Sequence, residues 1–191
     1  MFQVRIHGRG GQGAVTAAEL LSVAAFLEGR HAQAFPSFGS ERTGAPVMAF
    51  CRIDDRPIRV REPVTRPDAL VVQDATLLHQ VDVFAGLRPG GPVLVNSPHG
   101  ADHLGLESLT GPVLTVPATA LALRHVGRPV PSAVPLGGLA ALTGCVTLGS
   151  LTAAIRQRFP GGLGSANADA AREAYEHVEI LREEPAHAEA D

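Results

Sequence analysis

With 191 residues and a 45 % apolar share but no tryptophan, the chain is long enough for one domain whose core is built mostly from Leu, Val and Ala. A net charge of −3 without a basic block argues against an electrostatic grip on nucleic acid. All 16 basic residues are arginine, which excludes Schiff-base chemistry and a P-loop lysine. Two cysteines, Cys51 and Cys145, cannot supply the four thiolates of an iron–sulfur or closed zinc site. The first 25 residues carry no signal-peptide pattern and no apolar run reaches 18 residues, so the chain reads as soluble and cytoplasmic, with no membrane contact.

Phe2–His7 alternates apolar and polar side chains, the period of a half-buried strand. Residues 8–13 form a glycine-rich loop, and from Ala14 the period changes. Ala17, Leu20, Leu21, Ala24 and Leu27 then share one helical face, which Gly29 ends. His31–Phe35 reads as a second strand closed by Pro36, and residues 37–46, SFGSERTGAP, as a turn-rich loop with a charged centre. Val47–Ile53 is a strand, and Asp54-Asp55 starts a hairpin-like turn toward Ile58–Val60. Ala69–Gln73 is a buried strand, Leu77–Phe84 a helix, and Val93–Asn96 and Val113–Val116 are two more strands. Ala118–Val126 reads as a helix, and Pro129, Pro131 and Pro135 stiffen a connector over residues 127–136. Helices follow over Leu139–Leu148, Ser150–Phe159 with Ser150 as cap, and Asn167–Arg182, before an acidic, frayed tail from Glu183 to Asp191.

This order predicts an α/β fold: a three-layer domain with a mixed, mostly parallel sheet, a Rossmann-like first βα unit and a helical C-terminal part. Residues 1–182 form a single domain and 183–191 its tail.

The strongest local motif is Gly8-x-Gly10-x-x-Gly13 between a strand and a helix. Glycines let backbone N–H groups approach an anion, the helix N-terminus adds partial positive charge, and Arg9 adds a full one. Gly11 and Gln12 add freedom and one more amide donor. Three readings stay open: a dinucleotide site, a plain tight turn, or a cradle for another phosphate-bearing ligand. The dinucleotide pattern also wants an acid at the end of the next strand, where Phe35-Pro36-Ser37 stands, and Glu28 falls at the helix end. The second motif is the Ser40-Glu41-Arg42 centre between Gly39 and Gly44, either a solvated turn or an anion-pairing arginine oriented by a neighbouring acid. His99, Asp102 and His103 have a spacing that would bind zinc on a helix, but Pro98 and Gly100 oppose a helix there, so they read as surface residues.

Taken together, HGRGGQGAVTAAELL and AQAFPSFGSERTGAPVMAFCRI resemble the gamma subunit of the 2-oxoacid:ferredoxin oxidoreductases, and GSERTGAPV is most similar to the pyruvate and branched-chain branch. PDALVVQDATLL, GGPVLVNS and the late LTAAIRQRF with Asn167 extend the likeness to about residue 180. One departure stands out: Gly144 occupies a position where the family usually has Asn. The resemblance implies a non-autonomous subunit of an enzyme that oxidises a 2-oxoacid with coenzyme A to acyl-CoA and CO2 and reduces ferredoxin or flavodoxin. Thiamine diphosphate, Mg2+ and [4Fe-4S] clusters would sit on the alpha, beta and delta subunits or a fused equivalent, and none on this chain alone. It makes Gly8, Arg9, Gly10, Gly11, Gln12, Gly13, Ser40, Glu41 and Arg42 the candidates for holding coenzyme A phosphates or bracing an intersubunit site. A free-standing nucleotide-binding oxidoreductase and a purely structural assembly subunit are the competing readings.

Overall fold

The computed structural model describes residues 1–37 and 43–188. Six strands form one sheet in the order β2-β3-β1-β4-β5-β6, where β1 is Phe2–Arg9, β2 His31–Pro36, β3 Pro46–Asp54, β4 Ala69–Val72, β5 Val93–Asn96 and β6 Val113–Val116. The β1–β4, β4–β5 and β5–β6 pairs are parallel, and β3 is antiparallel to both β1 and β2. Five of the six strands therefore run the same way, and the sheet is mixed because of β3.

Five helices, α1 (Ala14–Leu27), α2 (Ala118–Val126), α3 (Val134–Thr143), α4 (Leu148–Arg158) and α5 (Gly161–Ala188), contribute to one large core on one face of the sheet. On the sheet side, Val4, Ile6, Cys51, Val71 and Leu94 form its floor. Small side chains set the spacing. Ala168, Ala170, Ala171 and Ala174 of α5 are buried, and a Cβ at Gly137 of α3 would lie 1.8 Å from the Ala171 carbonyl oxygen, so these two helices touch backbone to backbone. The opposite face is covered more thinly, by the 3-10 turn Ala75–His79 and by coil, over Leu70, Val72, Leu77, Val83, Val93 and Val95. The three layers are thus unequal.

Several sequence expectations need correction. No strand forms at Ile58–Val60. The antiparallel pairing comes from β2 and β3, whose register runs from His31 opposite Asp54 to Pro36 opposite Ala49. The Leu77–Phe84 helix is replaced by the 3-10 turn, because the Asp74 side chain accepts from the Thr76 N–H and closes a tight turn. Helix α3 starts at Val134 and includes Pro135 in its first turn, where a missing N–H costs nothing. It stops at Gly144. Thr147, not Ser150, caps α4: its hydroxyl accepts from the Ser150 N–H. Helix α5 begins at Gly161 and runs through Arg182 to Ala188, so the backbone of the expected tail is helical that far. Leu27 is 42 % exposed and leaves the buried face of α1. Among the described residues no helix is long and apolar enough to cross a membrane.

Candidate functional site

Strand β1 extends through Gly8 and Arg9, which pair with Val47 and Pro46, so the loop proper is Gly10–Gly13. Gly10 is held on both sides: its N–H donates to the Ala45 carbonyl at 2.9 Å and its carbonyl accepts from the Gly44 N–H at 3.0 Å. It also bridges to Thr43. The flank of the second motif is thereby fastened to the first. Ser40, Glu41 and Arg42 themselves lie outside the described residues.

Gly13 is the N-cap of α1, at φ 78°, with no side-chain cap. The first-turn N–H groups of α1 have no intrahelical acceptor, and a cavity of about 260 Å³ beside them is lined by Gly10, Gly11, Gly13, Ala14, Val15 and Thr16 among others. The positive φ and a neighbour both demand glycine here, since a Cβ at Gly13 would lie 2.5 Å from that of Ser132.

Arg9 is a brace within the described structure. Its Nε donates to Asp74 Oδ2 at 2.9 Å, Nη1 to the Gly44 carbonyl at 3.1 Å, and Nη2 to Thr76 Oγ1 and Gln80 Oε1 at 2.7 and 2.8 Å. Four of its five N–H donors are committed. Gln12 folds back, its Oε1 accepting from the Arg9 N–H and its Nε2 donating to Asp74. Burial opposes ionisation of Asp74, but hydrogen bonds from Thr76 and Gln12 and the charge of Arg9 outweigh it and hold the carboxyl below its ordinary range.

Glu28 lies at the other end of α1, where its carboxylate accepts from the Thr147 N–H and the Ser150 hydroxyl and ties α1 to α4. It is not a ribose ligand. Strand β2, which follows α1, is separated from β1 by β3, so the side-by-side βαβ unit of a dinucleotide site is absent. The arrangement removes the physical basis of the free-standing Rossmann reading.

His99 and His103 sit with ring centroids 5.8 Å apart and His103 contacts Asp102 at 2.9 Å, but no group of three metal-ligating side chains occurs among the described residues. Both cysteines are free and buried, and burial pushes the Cys51 thiol upward. Gly144 has φ 63° as the C-cap of α3. That left-handed position is one that Gly and Asn both adopt, so an Asn at 144 would keep the backbone and add only an amide side chain.

Two features escaped the sequence reading. Gln73 and Asp74, just past β4, stand beside the glycine loop, across the point where the strand order reverses between β1 and β4. A polar pair directly after an all-apolar strand was the available signal. The thinly covered sheet face also buries Arg5, His7 and Arg52. Arg5 donates to His7 Nε2 at 3.0 Å and to the carbonyls of Val83 and Ala85. Arg52 lies over the Phe35 ring at 5.1 Å.

The family model for pyruvate ferredoxin/flavodoxin oxidoreductase matches residues 3–177. Pyruvate synthase subunit PorC of Methanothermobacter thermautotrophicus is 52 % identical over 182 residues, covering 95 % of this chain and 98 % of its own. The pyruvate/ketoisovalerate oxidoreductases common subunit gamma of Pyrococcus furiosus is 50 % identical over 183 residues, covering 95 % and 99 %. The crystal structure of pyruvate oxidoreductase subunit PORC from Thermotoga maritima superposes with a TM-score of 0.81 at 38 % identity, covering 92 % of this chain and 95 % of that one.

Proposed function

The chain belongs to the pyruvate ferredoxin/flavodoxin oxidoreductase family, and from that membership we propose how it contributes to the enzyme's reaction. It is a subunit of a 2-oxoacid:ferredoxin oxidoreductase, of the gamma type, and acts as part of that oxidoreductase complex. The preferred 2-oxoacid on this reading is pyruvate, with branched-chain 2-oxoacids as the natural second class given the dual name of the Pyrococcus relative. The complex converts the 2-oxoacid and coenzyme A to acyl-CoA and CO2, and passes two electrons to ferredoxin or flavodoxin in the cytoplasm.

Thiamine diphosphate with Mg2+ and [4Fe-4S] clusters supply decarboxylation and electron transfer from the alpha, beta and delta partners or their fused equivalent. The two cysteines of this chain do not fit a cluster, since four thiolates are needed. Its own role is binding. The amides of Gly10–Gly13 and the first turn of α1 hold the phosphates of coenzyme A, and Arg42 is the candidate for the charged contact, since Arg9 is spent on Asp74. The observation that carries this reading is the cavity at the uncapped start of α1, beside a loop whose Gly10 is fastened to Gly44 and Ala45.

In the assembled complex, Arg42→Ala is expected to raise the apparent KM for coenzyme A about ten- to a hundredfold with assembly intact, the loss of one charge-assisted contact of about 1.5–3 kcal/mol. Gly10→Val is expected to raise it as well, by blocking backbone approach. Dissociation of the complex by both variants would make the loops an interface instead, and wild-type kinetics in both would return the glycine loop to a plain turn.

A further inference from the structure

We propose that the cavity at Arg5, on the thinly covered face of the sheet, is a binding site for a small monocarboxylate with a short apolar chain. It shares no lining residue with the cavity at the start of α1 and does not depend on the phosphate-binding reading of the glycine loop.

The observation is a buried charge without a counter-ion. Side chains alternate along β1, so Val4 and Ile6 face the core helices and Arg5 faces the other way. Arg5 is 5 % exposed and forms no ion pair among the described residues. Its Nε donates to His7 Nε2 at 3.0 Å, and its Nη2 to the carbonyls of Val83 and Ala85 at 2.9 and 2.7 Å. All three acceptors are neutral, since burial pulls the His7 pKa down to about 4. Asp82 attracts the guanidinium without pairing with it. A cation held in such surroundings is costly unless an anion meets it.

The free end of the guanidinium is Nη1. It has no partner among the described residues, and it is not sealed, because there only the two amide atoms of Gln73 are both buried and unpartnered. Nη2, on the same carbon, bonds Ala85, and Ala85 lines the cavity together with Arg5, so the free donors stand at its wall.

The lining selects the ligand class. The cavity is about 350 Å³, near the lower bound for a small-molecule site. Met48, Phe50, Pro63, Val64 and Ala85 form apolar walls, and among the described lining residues only Ser37 and Thr65 carry hydroxyls. One buried cation balances one negative charge, and these walls cannot solvate the second charge of a phosphate dianion. They suit the short alkyl chain of a carboxylic acid whose oxygens take charge-assisted bonds from Nη1. Two wall segments touch backbone to backbone, for a Cβ on Gly86, at φ 72°, would lie 2.0 Å from the Thr65 carbonyl oxygen.

The test is calorimetric titration of the assembled complex, in buffer without carboxylates, with 2-methylpropanoate, its neutral isostere 2-methylpropanamide and inorganic phosphate. The wild type is expected to bind the carboxylate at least tenfold tighter than the amide or phosphate, and Arg5→Met to lose that preference. Because Arg5→Met also removes bonds that hold the chain at Val83 and Ala85, Ala85→Phe is the second variant. Ala85 is exposed, and Arg5 bonds only its carbonyl, so the larger side chain narrows the cavity and leaves those bonds in place. Ala85→Phe is expected to weaken the carboxylate at least tenfold with an unchanged melting temperature. Equal binding of acid and amide, tighter binding of phosphate, or no carboxylate binding by the wild type overturns the proposal. Carboxylate affinity within twofold of wild type in Ala85→Phe places the ligand at another site and overturns it too.

Discussion

At Gly13 two costs coincide: a left-handed φ of 78° and a Cβ that would meet Ser132 at 2.5 Å. Gly11 has the strained φ alone, 95°, with open space around it. Gly13→Ala is therefore expected to destabilise the fold by about 2–4 kcal/mol and Gly11→Ala by about 1–2 kcal/mol, read from urea unfolding midpoints. Gly144→Asn is expected to change stability by less than about 0.5 kcal/mol, since both residues adopt the αL cap. His7 gives a pH signature. Burial, reinforced by the adjacent Arg5 guanidinium, pushes its pKa down from 6.5 to about 4. Between those values the unfolded chain binds a proton that the folded chain refuses. Stability is thus fully present above about pH 6.5 and is lost, by about 3 kcal/mol, as pH falls through the window. Denaturant unfolding at pH 7.5 and 5 checks this, and His7→Gln should flatten the slope. At this scale the glycine loop was legible, because its residues are contiguous. Ser132 and Gln73, which explain why two of its glycines are obligatory, were not, because they reach the loop only through the fold.

Among the elements, the joint between α1 and α4 rests on one carboxylate. Glu28 accepts from the Thr147 N–H at 2.7 Å and from the Ser150 hydroxyl, while Thr147 caps α4 itself. Glu28→Ala is expected to cost about 1 kcal/mol, and a double-mutant cycle with Ser150→Ala should show coupling between the two sites. Purely additive effects would mean that the carboxylate is solvated rather than shared. The bounds of α2 could be read from the chain because Gly127 ends it in a left-handed cap just after its basic last turn. The start of α5 could not, because three glycines within Gly161–Gly164 resemble a loop. Gly164 is there for space: a Cβ on it would lie 2.2 Å from the Phe159 carbonyl oxygen. The β2–β3 pairing was hidden for a different reason, since register between strands joined by a long loop leaves no local trace.

The whole molecule leaves apolar side chains outside, with Phe26 72 %, Leu27 42 % and Val23 38 % exposed together on α1. A surface of this kind suits a chain that works covered by partners. The gamma subunit is expected to co-purify with its catalytic subunits and to elute as a mixture of sizes, or precipitate, when expressed without them. The most direct test of the central claim is reconstitution: the other subunits of the oxidoreductase from the same source are assayed for coenzyme A-dependent reduction of ferredoxin by pyruvate, with and without this chain. The account predicts that activity requires the chain and returns on its addition at about equimolar amount. Full activity of the other subunits without it, or no activity on any 2-oxoacid with all subunits present, would contradict the account.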